Sequence, residues 1–345
     1  MRLFFLLAGM AIAAAPSAAA AALSWCPLPA RGAAAERARL VHSLGSDAQA
    51  KPHPLPHVHT EGTLPNDPQR EASLVAERDW PIMLDNALAW RAGAGDNYLK
   101  AAQLYLGAWA QTYQPDFNPI DETNLDALIE TWAITRDRLD PEVRTAAARL
   151  IRALGEGYLD RMEAAVRTPD PRQPWKNNWQ SHRIKIATLA AVALGDRALF
   201  DRARAAFDRH RDANIHPDGE VRDFEQRDAI HYVVYDLEPL LRAAIAARRM
   251  GEDWYGRNVG GPPVAAALRW LEPYADGTKT HVEFVHSVVA FDAARAKAGV
   301  KGFNGPFDPA RATELIWMAA QFDRSYTPLA VKLGPEPPFL SACGN

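Results

Sequence analysis

Cysteine is almost missing from this chain: Cys26 and Cys343 are the only two in 345 residues. That excludes a small disulfide-framed fold and a cysteine-rich zinc module. Lying near the two ends, the pair is expected to form one disulfide, at roughly 4 to 6 kcal/mol in the chain-entropy picture. A surplus of charge is missing too, with 39 Lys and Arg against 42 Asp and Glu and a net charge of −3. A general nucleic-acid or anionic-membrane binder is thereby disfavoured, and any anion must be recognised locally. Alternating polar and apolar stretches, the mark of half-buried strands, are lacking. Long apolar runs are confined to the start, where Arg2 precedes Leu3–Ala15 and then Pro16-Ser17 and an alanine tract. That run is too short to span a bilayer comfortably and reads as a secretory signal peptide over 1–22. The expectation is a periplasmic or secreted protein with no membrane attachment after cleavage.

What is present is helical punctuation. Residues 23–78 are rich in Pro, Ala, Gly and His without clear periodicity and read as an extended arm or lid. His53, His57 and His59 lie there among prolines that keep the backbone extended, so a metal site is disfavoured. From 79 to 330 the spacing predicts helices over 80–92, 96–113, 122–138, 141–166, 178–194, 197–212, 226–249, 261–273, 280–298 and 309–325, with a tail over 331–345. Asp140-Pro141 and Asp308-Pro309 place a capping acid before Pro at the first helical position. Gly195-Asp196 ends one helix and caps the next. Similar helix lengths and short loops imply antiparallel pairs. The fold class is therefore all-α, with an (α/α) toroid, an incomplete barrel of helix pairs, as the leading architecture and an open bundle as the alternative. Oligomeric state is not legible.

Two stretches carry chemistry. In the first, Asn178 and His182 stand at i and i+4 before an apolar run, so both lie on the buried side of a helix start. An Asn-Asn pair alone is more often just a helix start. Here Arg172, Lys176, Arg183 and Lys185 surround it without an acid, and Trp175 and Trp179 are interleaved. Cations with flat aromatic faces suit an acidic sugar. In the second stretch, Ile230, Val233, Val234, Leu237 and Leu241 make an apolar stripe, beside which Arg227, His231 and Tyr235 recur every fourth residue. Tyr232 lies on a neighbouring line. The acids Asp218, Glu220, Asp223 and Glu225 read mostly as a solvated turn. Together these parts fit β-elimination on a uronic acid. An amide, imidazole or guanidinium neutralises the carboxylate, a base takes the C5 proton, and an acid protonates O4. No metal or organic cofactor is required.

Asn177-Asn178…His182 and Arg227…His231-Tyr232…Tyr235-Asp236-Leu237-Glu238-Pro239-Leu240 resemble the alginate lyase domain superfamily. So do Glu61-Gly62-Thr63-Leu64-Pro65, Asn118-Pro119-Ile120-Asp121-Glu122-Thr123-Asn124 and Val282-Glu283-Phe284…Phe291-Asp292-Ala293-Ala294-Arg295. The pattern is closest to polysaccharide lyase family thirty-eight and more distant from family five, where the histidine directly follows the Asn pair. Here Trp179 holds that place, and the Arg before the tyrosines is displaced by a residue. The resemblance implies an (α/α) toroid and an exported lyase for an acidic polysaccharide, alginate or polymannuronate first, glucuronan or another uronan as alternatives. With the chemistry above, it assigns Asn178 to carboxylate neutralisation, helped by Arg227. Tyr235 is the acid, and also the base for syn elimination; His182 is a neutraliser, or the base for anti elimination. Trp175, Lys176, Trp179, Asn124, Arg183, Tyr232 and His231 are substrate-binding candidates, and His281, Glu283 and His286 read equally as reaching the cleft or as a helix face in contact with a loop. Two readings of other classes remain: a toroidal glycoside hydrolase, which needs a carboxylic acid pair, and a non-catalytic binder of acidic polysaccharide.

Overall fold

The computed structural model describes residues 33–168, 175–258 and 260–341. The expected signal peptide and the Cys26–Cys343 pairing lie outside the described residues. Among those described, the regular elements are all helical, and β-structure is limited to the isolated bridges Ile215–Val221 and Val282–Pro306. No helix among them is long and apolar enough to cross a membrane.

The chain opens with α1 (Ala33–Leu44), α2 (Pro68–Glu77), α3 (Asp79–Arg91) and α4 (Asp96–Thr112). Trp80 of α3 and Trp109 of α4 pack edge to face at 5.1 Å, and the Trp109 indole donates to Asp79 at 2.9 Å. The indole N–H thus has a partner despite full burial. Then come α5 (Asp126–Thr135), α6 (Pro141–Arg167), α7 (Asn178–Leu194) and α8 (Arg197–Asn214). The second half holds α9 (Arg222–Arg227), α10 (Ile230–Arg248), α11 (Val264–Ala275), α12 (Ala290–Lys297), α13 (Thr313–Ala320) and α14 (Thr327–Leu333).

Helix α7 is the hub, packing on α5, α6, α8 and α10. Residues 180–193 are buried on every side, as expected of a helix without a solvent face. Its start is capped by the Asn177 side chain, which accepts from Trp179 N at 3.3 Å. Its end is Gly195 at φ 66°, a left-handed conformation that glycine adopts without strain. Asp196 then accepts from Leu199 N at 3.1 Å and starts α8. The α6–α7 approach is close: a Cβ at Gly155 would stand 3.0 Å from the Ala190 Cβ. Enlarging either residue would pry the helices apart, at roughly 1–3 kcal/mol. Burying Ile184, Ile186 and Leu189 contributes roughly 1.5–3 kcal/mol each. Below the open face, Lys185 pairs with Asp126 at 2.7 Å and Arg242 with Glu130 at 2.9 Å, cross-linking α5, α7 and α10. The helix pairs curve into an (α/α) toroid, in which α7 and α10 meet side by side.

Several expected elements come out differently. The segment 23–78 contains α1 and α2, with Leu40, Leu44 and Val58 in the core. Asp67, whose carboxylate accepts from Gln69 N and Arg70 N, caps α2 ahead of Pro68. The helix expected at 122–138 is a 3₁₀ turn, Thr123–Leu125, followed by α5, and 309–325 is likewise divided around α13. The helix expected at 226–249 is two helices. Asp228 between them has φ 50°, and its carbonyl accepts from Phe284 N and His281 Nε2, both at 2.8 Å. Its carboxylate accepts from His286 N at 2.8 Å, and Gln226 O accepts from Val288 N at 3.0 Å. These bonds engage the backbone donors of Phe284, His286 and Val288, so the helix expected over 280–298 is reduced to α12.

Candidate active site

The N-terminus of α7 is built around an acid from a distant element. Asp223 of α9, fully buried, accepts from Asn178 N at 2.6 Å and from Asn178 Nδ2 at 2.5 Å. A carboxylate suits the positive end of a helix. Burial and the nearby Asp236 nevertheless push the Asp223 carboxyl above its ordinary range. The reading of Asp223 as part of a solvated turn is therefore corrected: it orients the Asn178 amide. Behind it, Ser181 donates to Asp236 at 2.5 Å, Asn214 Nδ2 donates to the same carboxylate at 2.5 Å, and His210 Nε2 lies 2.7 Å from Ser181 Oγ. This buried network ties α7, α8 and α10 together directly under the site.

One turn after Asn178, His182 is 3% exposed and its ring meets that of Tyr235 on α10, with centroids 4.3 Å apart. Its Nδ1 lies 2.6 Å from Thr123 Oγ1, and its buried Nε2 has no partner among the described residues. Burial first, then Lys185 and Arg183, hold the imidazole well below its usual pKa, so it is neutral. Burial raises the Tyr235 phenol, with Tyr232 and Glu238 adding and Arg295 opposing.

Tyr235 forms a wall of two cavities. The larger, about 550 Å³, is lined by His182, Asn124, Lys185, Arg242, Glu77, Glu238 and Glu314, among others. The smaller, about 230 Å³, is lined by Arg70, Arg295, His231, Tyr232, Thr60 and Thr63, among others. Tyr232 is held from both directions: Arg227 lies 3.9 Å over its ring and Arg295 donates to its hydroxyl at 2.9 Å. His231 stacks on Tyr232 at 4.6 Å, and burial takes its pKa down to about 3.

The sequence-derived candidates thus separate. His182 and Tyr235 meet, Asn178 stands one turn behind on the same helix, and Asn124, His231 and Tyr232 line the cavities. Arg227 lies on α9, across the break at Asp228, so it does not share a helical stripe with His231 and Tyr235. Its guanidinium is bound to Asp292. Trp175, Lys176, Trp179 and Arg183 line neither cavity. The Arg183 guanidinium instead lies 4.0 Å over Trp175 and 5.8 Å from Trp179, and burial lowers its pKa to about 10. Lys176 is exposed. Glu283 is buried and accepts from His231 N at 3.0 Å, whereas His281 and His286 serve the break at Asp228. His53 and His59 pair with Asp79 and Asp121 at 3.5 and 2.9 Å. Sequence reasoning missed Thr123, Arg70 and Arg295 as site residues, although Thr123 and Arg295 stand inside stretches it had singled out.

A family model described as alginate lyase matches residues 29–281. A comparison with curated protein sequences gave no match. Among solved structures, an alginate lyase from Bacteroides ovatus superposes with a TM-score of 0.57 at 15% identity, covering 91% of this chain and 97% of that one. Alginate lyase A1-III from Sphingomonas species A1 gives 0.56 at 16% identity, over 92% and 93%. A histidine-to-alanine variant of alginate lyase A1-III complexed with a tetrasaccharide gives 0.59 at 18% identity, over 92% of each chain. At such identities the likeness is one of fold.

Proposed function

We propose a reaction for this chain from one premise: it belongs to the alginate lyase family and is a polysaccharide lyase with an (α/α) toroid fold. The substrate is a uronic-acid polymer, polymannuronate-type alginate first and glucuronan second, cut by β-elimination in the periplasm or outside the cell. Alginate in the names of the structural relatives, and the tetrasaccharide held by one of them, support that class. The observation that carries the reading is the contact between His182 and Tyr235 on the wall of an open cavity.

The sugar that loses its C5 proton lies against this pair. His182, with Asn178 buried one turn behind it and outside both cavity linings, stabilises the charge that develops on the sugar's carboxylate as the C5–H bond breaks. An imidazole held this far below its ordinary pKa is a weak proton acceptor, which favours a donor role for His182. Tyr235, as phenolate, takes the C5 proton; the electron pair forms the C4=C5 double bond; the C4–O4 bond breaks; and the phenol returns the proton to O4. One residue does both steps because C5–H and C4–O4 lie on the same face of a mannuronate- or glucuronate-type ring. Arg295, at the Tyr232 hydroxyl, lowers the cost of the Tyr235 anion. Arg227 acts through the Tyr232 ring and not on the sugar.

Ultraviolet absorbance of the unsaturated uronate tests the reading, with polymannuronate, glucuronan and polyguluronate as substrates. The first two are expected to give a rising trace and the third a slower one. Flat traces with all three would reject the reaction.

A further inference from the structure

The hydroxyl of Thr123 stands 2.6 Å from His182 Nδ1, and among the described residues it has no other partner. A threonine hydroxyl owns one hydrogen and a neutral imidazole owns one. Two arrangements are therefore open. If Nδ1 carries the ring proton and donates to Thr123, the threonine hydrogen has no acceptor and the Nε2 lone pair has no donor. If Thr123 donates to Nδ1, its hydrogen is used, and the ring proton sits on Nε2, a buried atom with no partner among the described residues, on a ring that lines the larger cavity. Each arrangement leaves one donor without an acceptor, the threonine hydroxyl in the first and Nε2–H in the second. The second is favoured because the basic imidazole nitrogen is a much stronger acceptor than a hydroxyl oxygen.

Thr123 has little freedom to choose otherwise, because its neighbours are anchored in different layers. Asp121 accepts from Thr60 N and Glu61 N, each at 2.7 Å, and pairs with His59. Glu122 accepts from Tyr158 at 2.5 Å, from Tyr113 at 3.0 Å and from Asp116 N at 2.9 Å. The backbone is thus fixed on either side of Thr123, which is itself 7% exposed and opens the turn Thr123–Leu125.

We infer that Thr123 is a positioning residue that donates to Nδ1 of His182, fixes the ring and holds its proton on Nε2, so that the histidine enters the reaction as a hydrogen-bond donor to the substrate carboxylate. This deepens the lyase reading and rests on it for its kinetic part. It also excludes His182 as the base in the resting enzyme, since the Nδ1 lone pair is taken up by Thr123 and Nε2 carries the ring proton.

The tautomer is read directly from the ¹⁵N shifts of labelled histidine rings in the unliganded protein, with His182→Ala used to assign the signal. Protonated Nε2 and bare Nδ1 are expected; protonated Nδ1 would overturn the inference, whatever the enzyme does to any polymer. Kinetics supply the second arm. Thr123→Val is expected to lower kcat on polymannuronate roughly 10-fold, the scale of one lost hydrogen bond with its buried orphan, with KM changed much less. Thr123→Ser, which keeps the donor, is expected to restore kcat to within about 3-fold of the parent. A Thr123→Val enzyme with parental kcat and an unchanged tautomer would overturn the inference. If the parent cleaves no uronan, the lyase reading fails while the ¹⁵N result still decides the tautomer.

Discussion

On one side of Tyr235, Arg70 and Arg295 stand in a cavity wall without a carboxylate; on the other, Glu77, Asp126, Glu238 and Glu314 share the wall with Arg78, Lys185 and Arg242. The contrast is sharper than a count of charges suggests. Lys185 and Arg242 are already committed to Asp126 and Glu130, whereas Arg295 donates to the neutral Tyr232 hydroxyl and lies 3.9 Å from Asp292. A polyanion crossing Tyr235 therefore meets two cations and no carboxylate in the wall of the smaller side, and paired cations beside several carboxyls on the larger one. The larger space is not the more attractive to a uronate, because in a partly desolvated site the sign of the wall outweighs its area. The reacting sugar's carboxylate meets His182, and the polymer's other charged sugars should lie mainly along the Arg70–Arg295 side.

The wall common to both cavities gives the largest expected effect. Tyr235→Phe should lower kcat at least ~100-fold, the usual scale for a lost general acid–base group. In the parent, burial raises the Tyr235 phenol. If its phenolate is the base, kcat/KM should climb with pH and not level off below about 10, the ordinary phenol value. A plateau near neutrality would point to another base. Next in size is the positive side. Arg295→Ala should reduce kcat/KM on polymer roughly 10- to 100-fold, the range of a lost charged hydrogen bond, and the loss should shrink on short oligomers. Equal losses on polymer and dimer would break the proposed asymmetry.

The smallest effect belongs to the acidic side. Burial and Glu314 push the Glu238 carboxyl upward. Well below that raised pKa both carboxyls are neutral, and Glu314→Gln should match the parent. Above it the parent carries both charges and the variant one fewer. The KM of Glu314→Gln for polymannuronate should therefore become roughly 2- to 5-fold lower than that of the parent as pH rises, in keeping with a weakly screened surface charge. A KM ratio that stays flat with pH would show that no uronate approaches this wall.

What the sequence disclosed follows how local each feature is. Helix α7 was legible to the residue, because Asn177 and Gly195-Asp196 write both ends into neighbouring positions. Asp67-Pro68 was an equally good signature for α2, but the surrounding Pro-rich stretch masked it. The break at Asp228 was hidden, since an acid in a helical pattern becomes a left-handed hinge only when 281–289 brings donors to it. That break is why Arg227 does not align with Tyr235. Asp223 looked like its neighbours Asp218, Glu220 and Glu225; only the packing of α9 under the start of α7 separates it from them. The meeting of His182 and Tyr235 was expected from two motifs far apart in the chain, yet the third partner, Thr123, comes from another loop altogether.

The most direct test of the central claim, elimination at Tyr235 and His182, is the chemical nature of the new chain end. Proton NMR of a mannuronate tetramer digested by the parent enzyme should show a vinylic H4 at the new non-reducing end, and Tyr235→Phe should yield almost none in the same time. A digest with only saturated ends, or an equal vinylic signal from both proteins, would contradict the account.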